Sequence, residues 1–259
     1  MRRKNAWTTY NKKQLDELEK LCKNYLKFLD KGKTERECVK QIVKQAEEKG
    51  YVNLADITKD KKALKAGDKV YSVCMDKTVA LFQIGKKKLE KGMNILGAHI
   101  DSPRMDVKQN PLYESEEFAY LDTHYYGGIK KYQWVTLPLA LHGVVVKKDG
   151  TVITVNVGED KNDPVFCVTD LLIHLAGEQM EKKANKVIEG VGSKPLEGKE
   201  KDAVKEGILE ILKEKYDMTE EDFMSAEIEV VPAGHAREAG LDHSMVMSYG
   251  QDDRVCAYT

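Results

Sequence analysis

The sequence has 259 residues, 41% hydrophobic and 33% charged, enough to bury a real core beneath a heavily charged surface. Its 42 Lys and Arg against 43 Asp and Glu leave a formal net charge of -1, which excludes a global field drawing in nucleic acid or an anionic membrane. No apolar run is long enough to span a bilayer, and the basic start Met1-Arg2-Arg3-Lys4 lacks the apolar stretch of a signal peptide. The five cysteines, Cys22, Cys38, Cys74, Cys167 and Cys256, are scattered and form no C-x-x-C pair. That argues against a disulfide framework or a thiolate zinc site, and for a reducing cytoplasm.

In chain order, Leu15, Leu18, Cys22, Tyr25, Leu26 and Leu29 recur at helical spacing and predict an amphipathic helix from about Lys12 to Asp30. Thr34 with Glu37 is a capping-box pattern, and the helix it opens should run to Lys49 and stop at Gly50. Val70–Val73 and Thr78–Ile84 carry strand composition. Met93–Ile100 is mostly apolar and is expected as a strand buried on both faces. Leu139–Lys147 and Thr151–Val157, joined by Lys148-Asp149-Gly150, predict a hairpin. Val165–Val168 is a short strand, after which Thr169 or Asp170 can cap a short helix through His174. Lys182–Lys201, polar with several glycines, is expected as a long exposed loop. Lys201–Tyr216 follows as a helix and Ala226–Val231 as the last clear strand. From Arg254 a helix opens that no signal ends, so the chain is expected to stop before its pattern is complete.

Two strings carry chemistry. In Gly97-Ala98-His99-Ile100-Asp101-Ser102-Pro103-Arg104, His99 and Asp101 share a face of an extended backbone at the carboxyl end of the expected strand. Neutral imidazole is a zinc ligand, and a nearby carboxylate can orient it. Alone, the pattern also fits an ordinary histidine at a strand end. In Tyr249-Gly250-Gln251-Asp252-Asp253-Arg254, one Asp could bridge two metal ions. Equally, acidic residues favour helix N-termini for dipole reasons. His235 and His243 lack the spacing of two ligands on one helix turn and are expected at the surface or in a pocket wall. Gly158–Pro164 lacks the glycine and final Glu of a calcium loop, so it is a turn. The basic runs Lys59–Lys69 and Lys86–Lys88 have no interleaved aromatics and are expected as solvated faces.

In combination and in this order, the two strings resemble the aspartyl aminopeptidase and aminopeptidase I family of zinc metallopeptidases. Thr123–Ile129, Trp134 and Leu137–Gly143 look like that family's glycine-rich segment, and Leu172-Ile173-His174-Leu175 falls where it has a histidine motif. The resemblance implies an α/β fold: a di-zinc exopeptidase-like catalytic domain interrupted by a β-rich lid and dimerisation domain. The boundaries expected are 1–106 and 219–259 for the catalytic parts and 107–218 for the insertion. It implies that His99 and Asp252 are metal ligands, with Asp252 bridging two zinc ions. Other divalent metals are open. Asp101 would orient His99, Asp253 would shape the metal-adjacent turn, and His174 would stand at a substrate pocket, in one reading a neighbouring subunit's. A cis peptide bond between Asp252 and Asp253 belongs to the same pattern.

The implied function is zinc-dependent removal of N-terminal residues from peptides, by a cytoplasmic homo-oligomer built from dimers, with no nucleic-acid or membrane partner. The family also uses a Glu-Glu pair after the bridging Asp. Glu47-Glu48, Glu116-Glu117 and Glu220-Glu221 all precede Asp252 and are expected as solvated surface. Residues 1–259 by themselves are therefore expected to show no turnover. The alternative is a catalytically inactive product retaining only the lid and assembly role.

Overall fold

The computed structural model describes residues 4–60, 62–115, 118–188 and 203–259. They form two compact units, 1–101 with 235–259, and 102–234.

In the first unit, α1 (Lys12–Lys31) starts at Asn11, whose side chain accepts from the Gln14 backbone while the Gln14 side chain accepts from the Asn11 backbone. This closed capping box satisfies donors that a helix start otherwise leaves open. Helix α2 (Glu35–Glu48) begins the same way at Thr34 and Glu37, and Gly50 takes the positive φ that follows its end. The helical spacing seen in the sequence sets the inward face. Tyr25, Phe28 and Leu29 of α1 and Cys38 of α2 pack into one core with Ala236. Each large side chain so buried contributes about 1.5–3 kcal/mol. Next come β1 (Val52–Asn53), α3 (Leu54–Lys59), β2 (Lys69–Cys74) and β3 (Thr78–Gln83). β1 runs parallel to β2, and β2 and β3 form an antiparallel hairpin, giving a three-stranded sheet.

The strand expected at Met93–Ile100 is absent. The segment has no regular structure, and Met93, Ile95 and Leu96 are 62, 79 and 101% exposed. An apolar run becomes a strand only where a neighbour completes its hydrogen-bond ladder. Among the described residues none lies beside this one.

The second unit is a five-stranded antiparallel sheet of order β5-β4-β8-β6-β7. Its strands and helices in chain order are β4 (Arg104–Ser115), β5 (Phe118–Tyr126), β6 (Leu139–Val146), β7 (Val152–Val157), α4 (Gly177–Met180), α5 (Ala203–Tyr216) and β8 (Ala226–Pro232). The predicted β6–β7 hairpin forms, with Gly150 at positive φ and Asp149 accepting from the Thr151 backbone in the turn. One face of the sheet carries Val145, Val155 and Ile228 against Met218, Phe223 and the inward face of α5. The other face carries a polar row. His124 pairs with Asp106, Asp106 with Glu229, Glu229 with His142, and His142 with Asn156, one residue from each strand. Arg104 bonds Asp106 and lies 3.2 Å from Glu229, while His142 meets Glu159.

Val165–Val168 makes only isolated bridges, Leu139 with Phe166 and Val135 with Val168. The expected short helix through His174 is a single 3-10 turn, Ile173–Leu175, followed by α4. The expected Lys182–Lys201 loop lies largely outside the described residues.

The chain then returns to the first unit as a small hairpin, β9 (Arg237–Ala239) with β10 (Met245–Met247), and ends in α6 (Gln251–Tyr258). Helix α6 begins before Arg254, at Gln251. Tyr258 packs its ring 5.0 Å from Tyr25 and 5.1 Å from Phe28, fastening α6 to α1. The units divide after Asp101 and after Gly234, not at the expected 106 and 218. The reason is sheet pairing: Arg104–Val107 already pairs with β5, and β8, assigned from sequence to the catalytic part, lies in the middle of the sheet. Among the described residues no helix is long and apolar enough to cross a membrane.

Candidate metal centre

His99 and Asp101 leave the main chain on either side of Ile100. The Asp101 Oδ1 lies 2.8 Å from His99 Nδ1, as the two-residue spacing predicts for an extended backbone. The Asp252-Asp253 turn meets them from the far end of the sequence, with Asp253 Oδ2 3.0 Å from the same nitrogen. Asp101 and Asp253 therefore both face Nδ1, and Nε2 of a ring that is 66% exposed bonds no described residue.

The turn is unusual where it matters. Gly250 caps α6 at φ 82°, Asp252 has the non-helical pair φ -85° and ψ 105° inside the helix, and the Asp252–Asp253 peptide bond is cis. Asp252 thus leaves the helical path and sits beside Asp253, close enough that its carboxylate raises the proton affinity of both Asp253 and His99. The hydrogen bond that His99 Nδ1–H donates to Asp101 is the main reason His99 is held above the ordinary histidine range, with the charges of Asp253, Asp101 and Asp252 adding to it. Asp253 is pushed up first by desolvation, then by the side chain of Asp252.

The structure brings His99, Asp101, Asp252 and Asp253 together, all within one unit. Asp253, expected only to shape the turn, is also a direct neighbour of the imidazole. Among the described residues no group of three or more His, Cys, Asp or Glu side chains already surrounds a common ion position. The donor chemistry still fits zinc: an imidazole oriented through Nδ1, with Nε2 outward, beside a carboxylate that offers two oxygens.

The other candidates separate clearly. His174 is exposed on the 3-10 turn of the second unit. His235 and His243 are 74 and 69% exposed and face Asp30 and Glu238 respectively, as expected for surface positions. Glu47 is more than solvated surface, since it accepts a hydrogen bond from the Tyr71 hydroxyl. Glu220 and Glu221 are paired with Lys205 and Lys148. In the turn Gly158–Pro164, Asp163 accepts from the backbones of Gly158 and Asp160. The Lys59–Lys69 run borders an open cavity of about 750 Å³, with Lys62 on Asp60 and Lys69 on the Lys49 carbonyl.

Sequence reasoning missed Arg254 as a site residue. Its side chain is 1% exposed, and its Nε donates to the carbonyl of Ile100 at 3.0 Å. A backbone acceptor leaves no mark in a sequence; the Gly250–Arg254 spacing was the available signal.

The sequence profile of the family described as aminopeptidase I zinc metalloprotease (M18) matches residues 28–259. A probable M18 family aminopeptidase 1 of Clostridium acetobutylicum is 61% identical over 263 residues, covering 99% of this chain and 57% of that one. The crystal structure of an M18-family aminopeptidase from Thermotoga maritima superposes with a TM-score of 0.90 at 46% identity, over 100% of this chain and 56% of its own. A more distant structure, the dodecamer of mApe1 from S. cerevisiae, shares the fold at 18% identity with a TM-score of 0.68, over 93% of this chain and 54% of that one. The chain thus spans a little over half the length of the curated relatives it matches. Because the match runs along essentially the whole of this chain, the reading as an inactive assembly product gains no support from it.

Proposed function

The chain belongs to the family of aminopeptidase I zinc metalloproteases (M18), and from that premise we propose that His99 and Asp252 hold the zinc with which an aminopeptidase removes N-terminal residues from peptides. The observation that carries this is the meeting of the Asp252-Asp253 turn with His99 and Asp101. His99 would offer Nε2 to the metal. Asp101 would fix the tautomer and ring plane by accepting from Nδ1–H. Asp252 would supply a carboxylate ligand, and Asp253 would add negative charge behind the imidazole.

Zinc, when bound, supplies Lewis acidity that makes water a nucleophile near neutral pH and polarises a carbonyl. The proton of that water needs a general base. Glu47, Glu220 and Glu221 are committed elsewhere and are given no part in it. In the same reading the second unit is the lid and dimerisation domain of a homo-oligomer built from dimers, and His174 contributes to a substrate pocket.

Zinc titration of the purified chain against a chromophoric chelator tests the assignment. Wild type and the surface control His243→Ala should compete for zinc, whereas His99→Ala and Asp252→Ala should each lose most of that affinity. Wild-type affinity in His99→Ala and Asp252→Ala would reject the site.

A further inference from the structure

We propose that Arg254 is the positioning residue of this centre: its guanidinium sets where His99 and Asp101 stand relative to the Asp252-Asp253 turn. The proposal deepens the zinc reading and rests on it for its meaning. The geometry behind it exists without metal.

Arg254 is 1% exposed, and its Nη1 has no hydrogen-bond partner among the described residues. A buried guanidinium is costly unless its hydrogen bonds are well made. Two of them are. Nε donates to the Ile100 carbonyl at 3.0 Å and Nη2 to the Lys33 carbonyl at 2.8 Å. Ile100 is the residue between His99 and Asp101, so a bond to its carbonyl holds the stretch of backbone from which both side chains project. Lys33 is 3% exposed and lies between α1 and α2, with its own backbone donating to Glu37, so the second bond ties the arrangement to a fixed point. Arg254 directly follows Asp253. One side chain therefore links the two motifs across 154 positions.

Apart from the contact of Asp253 with the His99 ring and the packing of Ile100 on the α1–α2 core, little else ties down the 93–100 segment among the described residues. It belongs to no sheet, and the Arg254–Ile100 bond is the only hydrogen bond its backbone makes to described residues. The local sequence reserves the room. A Cβ at Gly250 would fall 2.2 Å from Arg254 Nη1, and Gly250 has φ 82°. The space belongs to the guanidinium, and the ring of Tyr249 lies 5.4 Å from it. Lysine would keep the charge, but a single ammonium lacks the planar fork that spans both carbonyls.

The test uses the chain with and without zinc. In metal-free protein, Arg254→Met should displace the His99 ring signals in ¹H–¹⁵N spectra. With zinc it should weaken binding roughly ten- to hundredfold, the scale seen when a partner orienting a ligand is removed. Arg254→Lys should give a smaller change in both. Val70→Ala, which opens a cavity elsewhere in the same unit, should lower the thermal midpoint yet leave the ring signals and zinc affinity within about twofold. Ring signals at wild-type positions in Arg254→Met, or a zinc loss no larger than that of Val70→Ala, would overturn the proposal. If Arg254→Met does not fold, Arg254→Lys and Gly250→Ala decide by the same ring signals, and unchanged signals in both reject it. A wild type that binds no zinc would sink the metal reading alone, since the metal-free spectra still judge Arg254.

Discussion

Replacing Gly143 by alanine should unfold the second unit far more easily than its chemistry suggests. Gly143 sits in β6, opposite Ile228 of β8 on one side and Val155 of β7 on the other. A Cβ there would lie 2.0 Å from the Glu227 carbonyl oxygen, 2.8 Å from the Ile228 Cα and 2.9 Å from the Glu227 carbonyl carbon. A comfortable contact needs about 3.5 Å or more. Every clashing atom is backbone, so no rotamer change relieves it; β6 and β8 must part. Overpacking costs about 1–3 kcal/mol, and each ladder group left unpaired in the interior adds about 1–3 kcal/mol. The sum with one such group, about 2–6 kcal/mol, is a large share of the roughly 5–15 kcal/mol that holds a domain folded. Trp134 provides the readout, being buried at 9% exposure in this unit, whereas Trp7 is 52% exposed. Urea unfolding followed by Trp134 emission should show a midpoint shifted well down in Gly143→Ala. A loss under about 0.5 kcal/mol would show that the sheet yields at this point and that the reasoning fails.

Asp101→Asn keeps shape and removes charge beside His99 Nδ1, so zinc affinity should fall roughly ten- to hundredfold in the chelator assay while the thermal midpoint barely moves. Thr34→Ala removes the acceptor for the Glu37 backbone at a cap that is 2% exposed, and should cost about 1 kcal/mol in chemical denaturation. The Asp163 carboxyl is drawn below the usual range first by the Gly158 backbone N–H, then by that of Asp160 and by Lys215. A depressed folded value means its contribution is fully present above the unfolded value near about 3.9. It is lost as pH falls through the folded value. Asp163→Asn should therefore be less stable than wild type at neutral pH, and the gap should close below about pH 4.

Much of the first unit was legible because its signals are local. A capping box needs only Thr34 and Glu37, and the inward face of α1 follows from a spacing that picked out Tyr25 and Leu29, though it passed over Phe28. The β6–β7 hairpin was legible for the same reason. Strand β4 was not: Lys108, Gln109 and Asn110 break its alternation, Pro111 follows, and the pairing with β5 shifts between Val107 and Leu112. The 93–100 segment erred the other way, since apolar composition promises a strand but only a neighbour makes one. At the centre, the two-residue spacing placed Asp101 on His99, and the resemblance placed Asp252. The reach of Asp253 to Nδ1 depends on how the backbone turns at Asp252, and the role of Arg254 depends on two carbonyls that have no letters in the sequence.

The polar row through His124, Asp106, Glu229, His142 and Asn156 also works as a proofreading device for the sheet. Side chains alternate along a strand, so a slip of one position exchanges its faces. Were β8 to slip against β6, Glu229 would turn toward Met218 and Phe223, and Ile228 would land among His142 and Asp106. The first error buries a charge in an apolar layer without a partner, and the second leaves the polar row without its central carboxylate, a far heavier penalty than the loss of a few apolar contacts. Since β8 is the last of these strands in the chain and pairs with both β4 and β6, it must enter between two hairpins made earlier in sequence. Glu229, 2% exposed at the middle of that strand, then functions as a key cut to admit one alignment and refuse its neighbours.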